Sequence, residues 1–303
     1  MTAAISSLTV EHVRAFRRAV LRFYRRRKRD LPWRGTSDPY RILVSEVMLQ
    51  QTQVDRVVPK YHSFLARFPT LRTLARAPFA DVLRAWLGLG YNGRALRLWR
   101  CARTVVGLHG GVLPSRLDEL ARLPGIGPYT AAAVAAIAFG AQLPVVDVNV
   151  ARVLSRALAG RERLPAPRVS ALALAALPAS SAAQWAQALM DVGARYCRAK
   201  PQCASCPARS ACAYARSGNK GNAQGRRPRP TPVKRARFAG SNRFYRGRVM
   251  RALCIRGKLP VRALGREVKE GFGVSDLPWL RELLGGLVRD GLIHIDGQRV
   301  RLP

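Results

Sequence analysis

The sequence predicts an all-α body followed by a small winged-helix-like module, and two observations lead there. From residue 10 to about residue 160 the chain reads as helix, short loop, helix, and no run alternates apolar with polar residues in the manner of a half-buried strand. Beyond residue 239, three helical stretches at 243–256, 260–269 and 277–290 precede a β-hairpin. The hairpin is Leu292-Ile293-His294-Ile295, the turn dipeptide Asp296-Gly297, and Gln298-Arg299-Val300-Arg301-Leu302.

Taken in order, residues 10 to 28 place Val13, Phe16, Val20, Leu21 and Phe23 among many arginines, an amphipathic helix with a basic outer face that Pro32 ends. Trp33-Arg34 and Asp38-Pro39-Tyr40 turn the chain into a helix around residue 46. Helices are then expected at 54–67, 71–76, 79–88, 93–108, 115–122, 129–139 and 149–158, and an Ala-rich helix over 170–194. Residues 216 to 238 hold Gly, Pro, Asn and Gln with eight Lys or Arg and no acid, the composition of a basic linker lying along phosphates. No fixed-period repeat is present.

The 303 residues are 48% hydrophobic, enough for a sizeable core, and their 53 Lys and Arg against 17 Asp and Glu give a formal charge of +36. A polyanion is the natural partner, and nucleic acid fits best because each neutralised phosphate releases counterions. An anionic membrane is the rival, but the longest apolar run, from Ala131, stops at Gln142, short of the roughly 20 residues a spanning helix needs. The start, Met1-Thr2-Ala3-Ala4-Ile5, lacks the basic-then-apolar order of a secretory signal, so an intracellular protein is expected.

Three stretches hold residues suited to chemistry. In Ile42 to Thr52, the apolar positions 43, 44, 47 and 54 face a core, yet Glu46 has no basic residue three or four positions away. A buried carboxyl can hold a proton near neutral pH and deliver it to a substrate; the plain alternative is a Glu on the polar edge of an amphipathic helix. Leu123-Pro124-Gly125-Ile126-Gly127-Pro128-Tyr129-Thr130 lies between two helices. There Gly125 and Gly127 let the backbone turn tightly and aim N–H groups at a phosphate, although many Gly-rich turns are only turns. Asp147, after Leu143-Pro144-Val145-Val146 and before a helix, is an N-cap candidate whose fixed carboxylate suits stabilisation of a cationic intermediate. With Glu46 it would form a pair of one acid and one anion.

Cys197-x5-Cys203-x2-Cys206-x5-Cys212 places four thiols within 16 residues, a metal site for zinc or a [4Fe-4S] cluster between which spacing does not decide. Cys101 and Cys254, in apolar helical surroundings, are expected in the core.

Six features carry a resemblance that runs from about Leu31 to Cys212. They are Pro32-Trp33-Arg34, the segment Ser45 to Val54, Gly88-Leu89-Gly90-Tyr91, the hairpin 123–130, Asp147-x-Asn149-Val150 and the four cysteines. Together they resemble the endonuclease III superfamily of helix-hairpin-helix DNA glycosylases, and within it the MutY-type adenine glycosylases. The resemblance implies a glycosylase region over residues 1–215. Its six-helix barrel would span about 35–150, with a cluster domain built from the N-terminal helix and about 151–215. Residues 216–238 then remain the linker and 239–303 the winged-helix-like module. It further implies a [4Fe-4S] cluster on Cys197, Cys203, Cys206 and Cys212, and a monomer acting on double-stranded DNA with a mismatched or oxidised base in the cytoplasm, at the nucleoid.

By the same resemblance, Glu46 is the general acid that protonates adenine and later handles the water, and Asp147 stabilises the oxocarbenium-like sugar or briefly bonds to it. Asn149 supports the acid site, and Tyr129 stands where bifunctional relatives carry a catalytic lysine, which implies base removal without strand cleavage. Gln51 and Tyr91 resemble residues inserted into the duplex, Arg34, Leu49 and Asp191 resemble residues lining the adenine pocket, and Arg198 and Lys200 would touch phosphates. Core packing alone would also explain Trp33, Leu49 and Tyr91. Three departures stand out. The first cysteine gap is one residue short, Val148 replaces a usual Gly, and residues 239–303 are too short and differently patterned for the Nudix-like domain that recognises 8-oxoguanine in many such enzymes.

The expected activity is removal of adenine opposite 8-oxoguanine or guanine. Two rivals remain at this level: a glycosylase for thymine or uracil opposite guanine, which would not need Glu46, and a non-catalytic cluster-bearing DNA-binding protein, which would need neither Glu46 nor Asp147.

Overall fold

In the computed structural model, which describes residues 9–218 and 238–303, local signals in the sequence set most helix ends. Thr9 caps α1 (Val10–Arg27), its hydroxyl accepting from His12 N at 3.1 Å. There follow α2 (Pro39–Leu49), α3 (Val54–Arg67), α4 (Leu71–Arg76), α5 (Phe79–Trp86), α6 (Gly93–Leu108) and α7 (Leu117–Arg122). Next, α8 (Pro128–Phe139) begins on a proline and ends at Gly140, whose φ of 71° is open to glycine at little cost. The chain continues with α9 (Val148–Ala159), α10 (Ala166–Ala175), α11 (Ala182–Arg195) and the short α12 (Ala213–Arg216). The basic stretch expected as a linker and the first residues of the chain lie outside the described residues, except for 216–218 and 238.

One helix expected over 170–194 is two. Pro178 cannot donate to a helical ladder and pushes Leu177 out of helical geometry, and the chain re-enters a helix only after Ser181, at φ 69°.

The chain divides into two units. The first comprises residues 1–43, 115–122 and 126–229. Its core forms where α1 lays Val13, Phe16, Val20 and Phe23 against α9 and α11, with Phe16 meeting Trp185 edge-on at 5.9 Å. The alanines of α8 allow close approach of α11, and Ala133, Ala136, Val145 and Ala186 form a second, smaller core there.

The second unit comprises residues 44–114, 123–125 and 230–303. Its helices α4 and α5 pack on α6, and α5 also packs on α13 (Asn242–Arg256), whose start Ser241 caps. After α13 come β1 (Lys258–Pro260), α14 (Val261–Val268), α15 (Leu277–Arg289), β2 (His294–Asp296) and β3 (Arg299–Arg301). The strands form an antiparallel sheet of order β1-β3-β2, so three helices and a small sheet give the expected winged-helix-like arrangement.

Two details differ from the sequence reading. The hairpin pairs Asp296 with Arg299, so the turn is Gly297-Gln298, one residue later than expected, with Gly297 supplying a φ of 60°. The third strand, Lys258-Leu259-Pro260, is too short and too proline-bound to signal itself. Cys101 and Cys254 are core residues, each 1% exposed, and burial pushes their thiols up to about 12 and about 11. Among the described residues no helix is long and apolar enough to cross a membrane.

Candidate functional site

Glu46 sits in the middle of α2, and every residue from Ile42 to Met48 is buried around it. At 7% exposure it is not on a polar edge, because at this point α2 has none. Leu49 and Gln50 are half-buried at the helix end, and Gln51 follows, exposed, at φ 55°. A non-glycine residue in this left-handed region costs about 1–3 kcal/mol and is held there by its surroundings.

The group that holds it is Arg94, which the sequence did not single out. Buried in the first turn of α6, Arg94 donates from Nη1 to the carbonyls of Val47, Met48 and Gln50 at 2.9, 2.8 and 2.6 Å, satisfying the open C-terminal end of α2. Its Nη2 donates to Leu89 O, Gly90 O and Thr52 Oγ1 at 3.2, 3.1 and 3.0 Å. One guanidinium thus joins the loop of Gln51 to the loop of Tyr91, the other exposed residue of this region with a left-handed backbone, at φ 48°. Burial brings the Arg94 pKa down to about 10, opposed by nearby Tyr91 and assisted by Arg97. Replacing Arg94 by Met is expected to destabilise the protein by about 3 kcal/mol, and Lys to recover only part because an ammonium lacks the planar fork. Urea midpoints measure both, and a full rescue by Lys would contradict the fork geometry.

The hairpin needs its first glycine on two counts. Gly125 has φ 76°, and a Cβ there would lie 2.5 Å from the Cβ of Arg97. Gly127 has ordinary extended geometry, and a Cβ would meet nothing within 4 Å, so it leaves the start of α8 uncovered. Tyr129, half-buried in the first turn of α8, packs against the small core at Ala133 and Val145.

Asp147 is the N-cap of α9. Its Oδ1 accepts from Asn149 N at 2.9 Å and Val150 N at 2.7 Å, and its Oδ2 from Asn149 Nδ2 at 2.8 Å. Asn149 Oδ1 accepts in turn from Arg152 Nη2 at 2.7 Å, and Arg152 Nε donates to Cys197 O at 2.5 Å, so a chain of hydrogen bonds runs from the carboxylate to the cysteine loop. Gly193 of α11 permits this approach, since a Cβ there would lie 2.7 Å from Asn149 Cβ.

Arg34 and Asp191 meet as a bidentate pair at 2.7 and 2.8 Å, and Arg29 Nε adds a third contact at 2.6 Å. Burial alone would raise the Asp191 carboxyl, but the hydrogen bonds and charges of Arg34 and Arg29 outweigh it and hold the pKa below the ordinary value. Arg29 was not foreseen.

All four cysteines line one narrow cavity beside Arg156 and Tyr214. Among the described residues no three His, Cys, Asp or Glu side chains are grouped closely enough to hold a single metal ion. Four thiols are a donor set that zinc or an iron–sulfur cluster could each accept. Arg156, 1% exposed, donates to Cys197 Sγ at 3.4 Å and to Arg198 O at 2.6 Å and pairs with Glu162, which puts a fixed positive charge beside the thiols. Arg198 and Lys200 are exposed on the same loop.

The structure therefore brings together Arg34 with Asp191, Asp147 with Asn149, and Gln51 with Tyr91 through Arg94, whereas the four cysteines, among the described residues, line one cavity without being grouped as the ligands of a metal. Glu46 belongs to the second unit and Asp147 to the first.

Residues 44–177 match the HhH-GPD superfamily of base excision DNA repair proteins. An adenine DNA glycosylase of Mycolicibacterium smegmatis is 43% identical over 281 residues, 91% of this chain and 91% of that protein. The chain belongs to the adenine DNA glycosylase (MutY) family. The human adenine DNA glycosylase is 42% identical over 67% of this chain but only 40% of its own length. The mycolicibacterial match, at 281 residues, is too long to leave out the C-terminal module. Among solved structures, a thermostable thymine-DNA glycosylase superposes with TM-score 0.64 at 31% identity, over 68% of this chain and 98% of that one. Endonuclease III bound to DNA superposes with TM-score 0.61 at 22% identity, over 70% and 99%. The fold is thus the mostly helical glycosylase fold of endonuclease III with a small C-terminal sheet.

Proposed function

We propose that the chain hydrolyses the N-glycosidic bond of adenine mispaired with 8-oxoguanine or guanine, as a monofunctional enzyme. The observation that carries this reading is Glu46, a carboxyl buried on all sides within α2 in a chain whose curated relatives are adenine glycosylases. In the proposed reaction Glu46 gives its proton to a ring nitrogen of the extruded adenine, and the C1′–N9 electron pair leaves with the base. Asp147, fixed by three hydrogen bonds, faces the resulting oxocarbenium-like sugar as an anion, and Asn149 keeps it oriented. Water then adds at C1′ and returns a proton to the Glu46 carboxylate.

Gln51 and Tyr91, held in left-handed geometry, fill the space the flipped base leaves, and the uncovered amides at Gly125 and Gly127 take a phosphate. Arg34 and Leu49 border the base pocket, and Asp191 acts through Arg34. Cys197, Cys203, Cys206 and Cys212 would hold a [4Fe-4S] cluster, whose role when bound is to tie the loop of Arg198 and Lys200 together for phosphate contact. We read residues 1–215 as the glycosylase region and 239–303 as a separate module, in a monomer working on chromosomal DNA in the cytoplasm.

The likeness to a thymine-DNA glycosylase keeps one rival in view, and the released base decides between them. Chromatography of the products from duplexes with A or T opposite G and A opposite 8-oxoguanine is expected to show free adenine only; free thymine would reassign the substrate. Because Tyr129 offers no amine, borohydride should trap no enzyme–DNA adduct, whereas Tyr129→Lys is expected to yield one. A trapped adduct with the unaltered chain would contradict the monofunctional reading.

A further inference from the structure

Seven of the eighteen residues of α1 are arginines and one, Glu11, is an acid. Arg14, Arg18, Arg22 and Arg26 follow one another at intervals of four and all are exposed, so like charges stack along one stripe, an arrangement that weakens a helix. Among the described residues no ion pair joins any of the four to a carboxylate. An anionic partner lying on the stripe would relieve that repulsion.

The stripe borders a groove within the first unit. Between α1 and the end of the cysteine loop lies a space of about 470 Å³, where Arg18, Arg22 and Arg216 stand against Glu11 alone. His12 Nε2 donates to Ala211 O at 2.9 Å and pins the loop to the helix there. The floor is made of methyl groups, those of the half-buried Ala15 and Ala19 and of the buried Ala211. Ser210 and Arg216 also border a second hollow of about 560 Å³, where Arg209 adds a further cation.

These features favour a polypeptide over a nucleic acid. No Phe, Tyr or Trp lines the groove to stack a base, and Glu11 repels a phosphate strand that follows the stripe. Arg18 and Arg22 are one helical turn apart, the spacing that meets carboxylates one turn apart on a facing helix, and the alanines beside them leave room for its apolar edge. We propose that this groove docks an acidic amphipathic helix of a partner protein, with its carboxylates on Arg18 and Arg22 and its apolar edge on Ala15 and Ala19. Such docking is independent of the base that the chain excises.

The full chain, with and without a saturating fully paired duplex, is titrated into a fluorescein-labelled peptide of Glu-Ala-Ala-Leu repeats, and anisotropy reads binding. Binding is expected to persist with the duplex present and to weaken about tenfold in the double variant Arg18→Gln, Arg22→Gln, which loses two exposed ion pairs. Ser210→Trp, exposed at the groove, keeps the charge and should also weaken binding by filling the space, an effect that unspecific attraction to a basic chain would not produce. Arg262→Gln, exposed on α14 outside the groove, should leave binding unchanged. Full affinity in the double variant or in Ser210→Trp, an equal loss in Arg262→Gln, or equal binding of repeats with Gln in place of Glu would overturn the proposal. So would the absence of binding to the unaltered chain, or release of the peptide by duplex, which would make the stripe a nucleic-acid surface.

Discussion

Glu46→Gln is expected to lower single-turnover adenine release by about a hundredfold to ten-thousandfold while leaving affinity for a duplex with A opposite 8-oxoguanine nearly unchanged. Gln keeps the size of the side chain and its place among Ile42 to Met48, so the fold and the DNA contacts persist. What it loses is the proton for the departing base and the carboxylate that accepts one from water. Retained turnover would show that the buried carboxyl is structural. An equal loss of binding and release would show instead that Glu46 shapes the surface that DNA meets.

Asp191→Asn is expected to destabilise the protein by about 3–5 kcal/mol, since it leaves the Arg34 guanidinium buried without its counter-charge. The pH dependence has a definite sign. Because the folded-state pKa of Asp191 is lowered, its contribution is complete above the unfolded value of about 3.9 and is lost as pH falls through the folded value. Urea midpoints from pH 6 down to pH 3 should therefore fall less steeply in Asp191→Asn than in the unaltered protein below about pH 4. Parallel curves would mean that the pair with Arg34 and Arg29 contributes nothing to stability.

Where the sequence was legible, a local rule and the tertiary structure agreed. Helices α3, α4 and α6 end at the residues the apolar spacing implied, and Asp147 caps α9 because an acid before a helical run has few other places to put its oxygens. The burial of Glu46 was hinted at because its helix places no basic residue three or four positions away from it. The break before α11 was missed because an alanine-rich pattern hid what Pro178 does to Leu177. Strand β1 went unseen because three residues cannot show a period.

The supporting cations were the harder loss. Arg29, Arg94, Arg152 and Arg156 each hold part of the site, but among 53 Lys and Arg nothing in local spacing separates a buried guanidinium from a solvated one. Arg94 illustrates this best. Five of its six partners are backbone carbonyls, at the end of α2 and in the two loops, and backbone carbonyls leave no mark in a sequence.

The most direct measurement is single-turnover excision on duplexes that differ in one pair, A opposite 8-oxoguanine, A opposite G, T opposite G and U opposite G, each with and without alkali. The account predicts strand breaks at the two adenine-containing pairs only, appearing after alkali and not before. Breaks at T or U alone, or breaks without alkali, would contradict it.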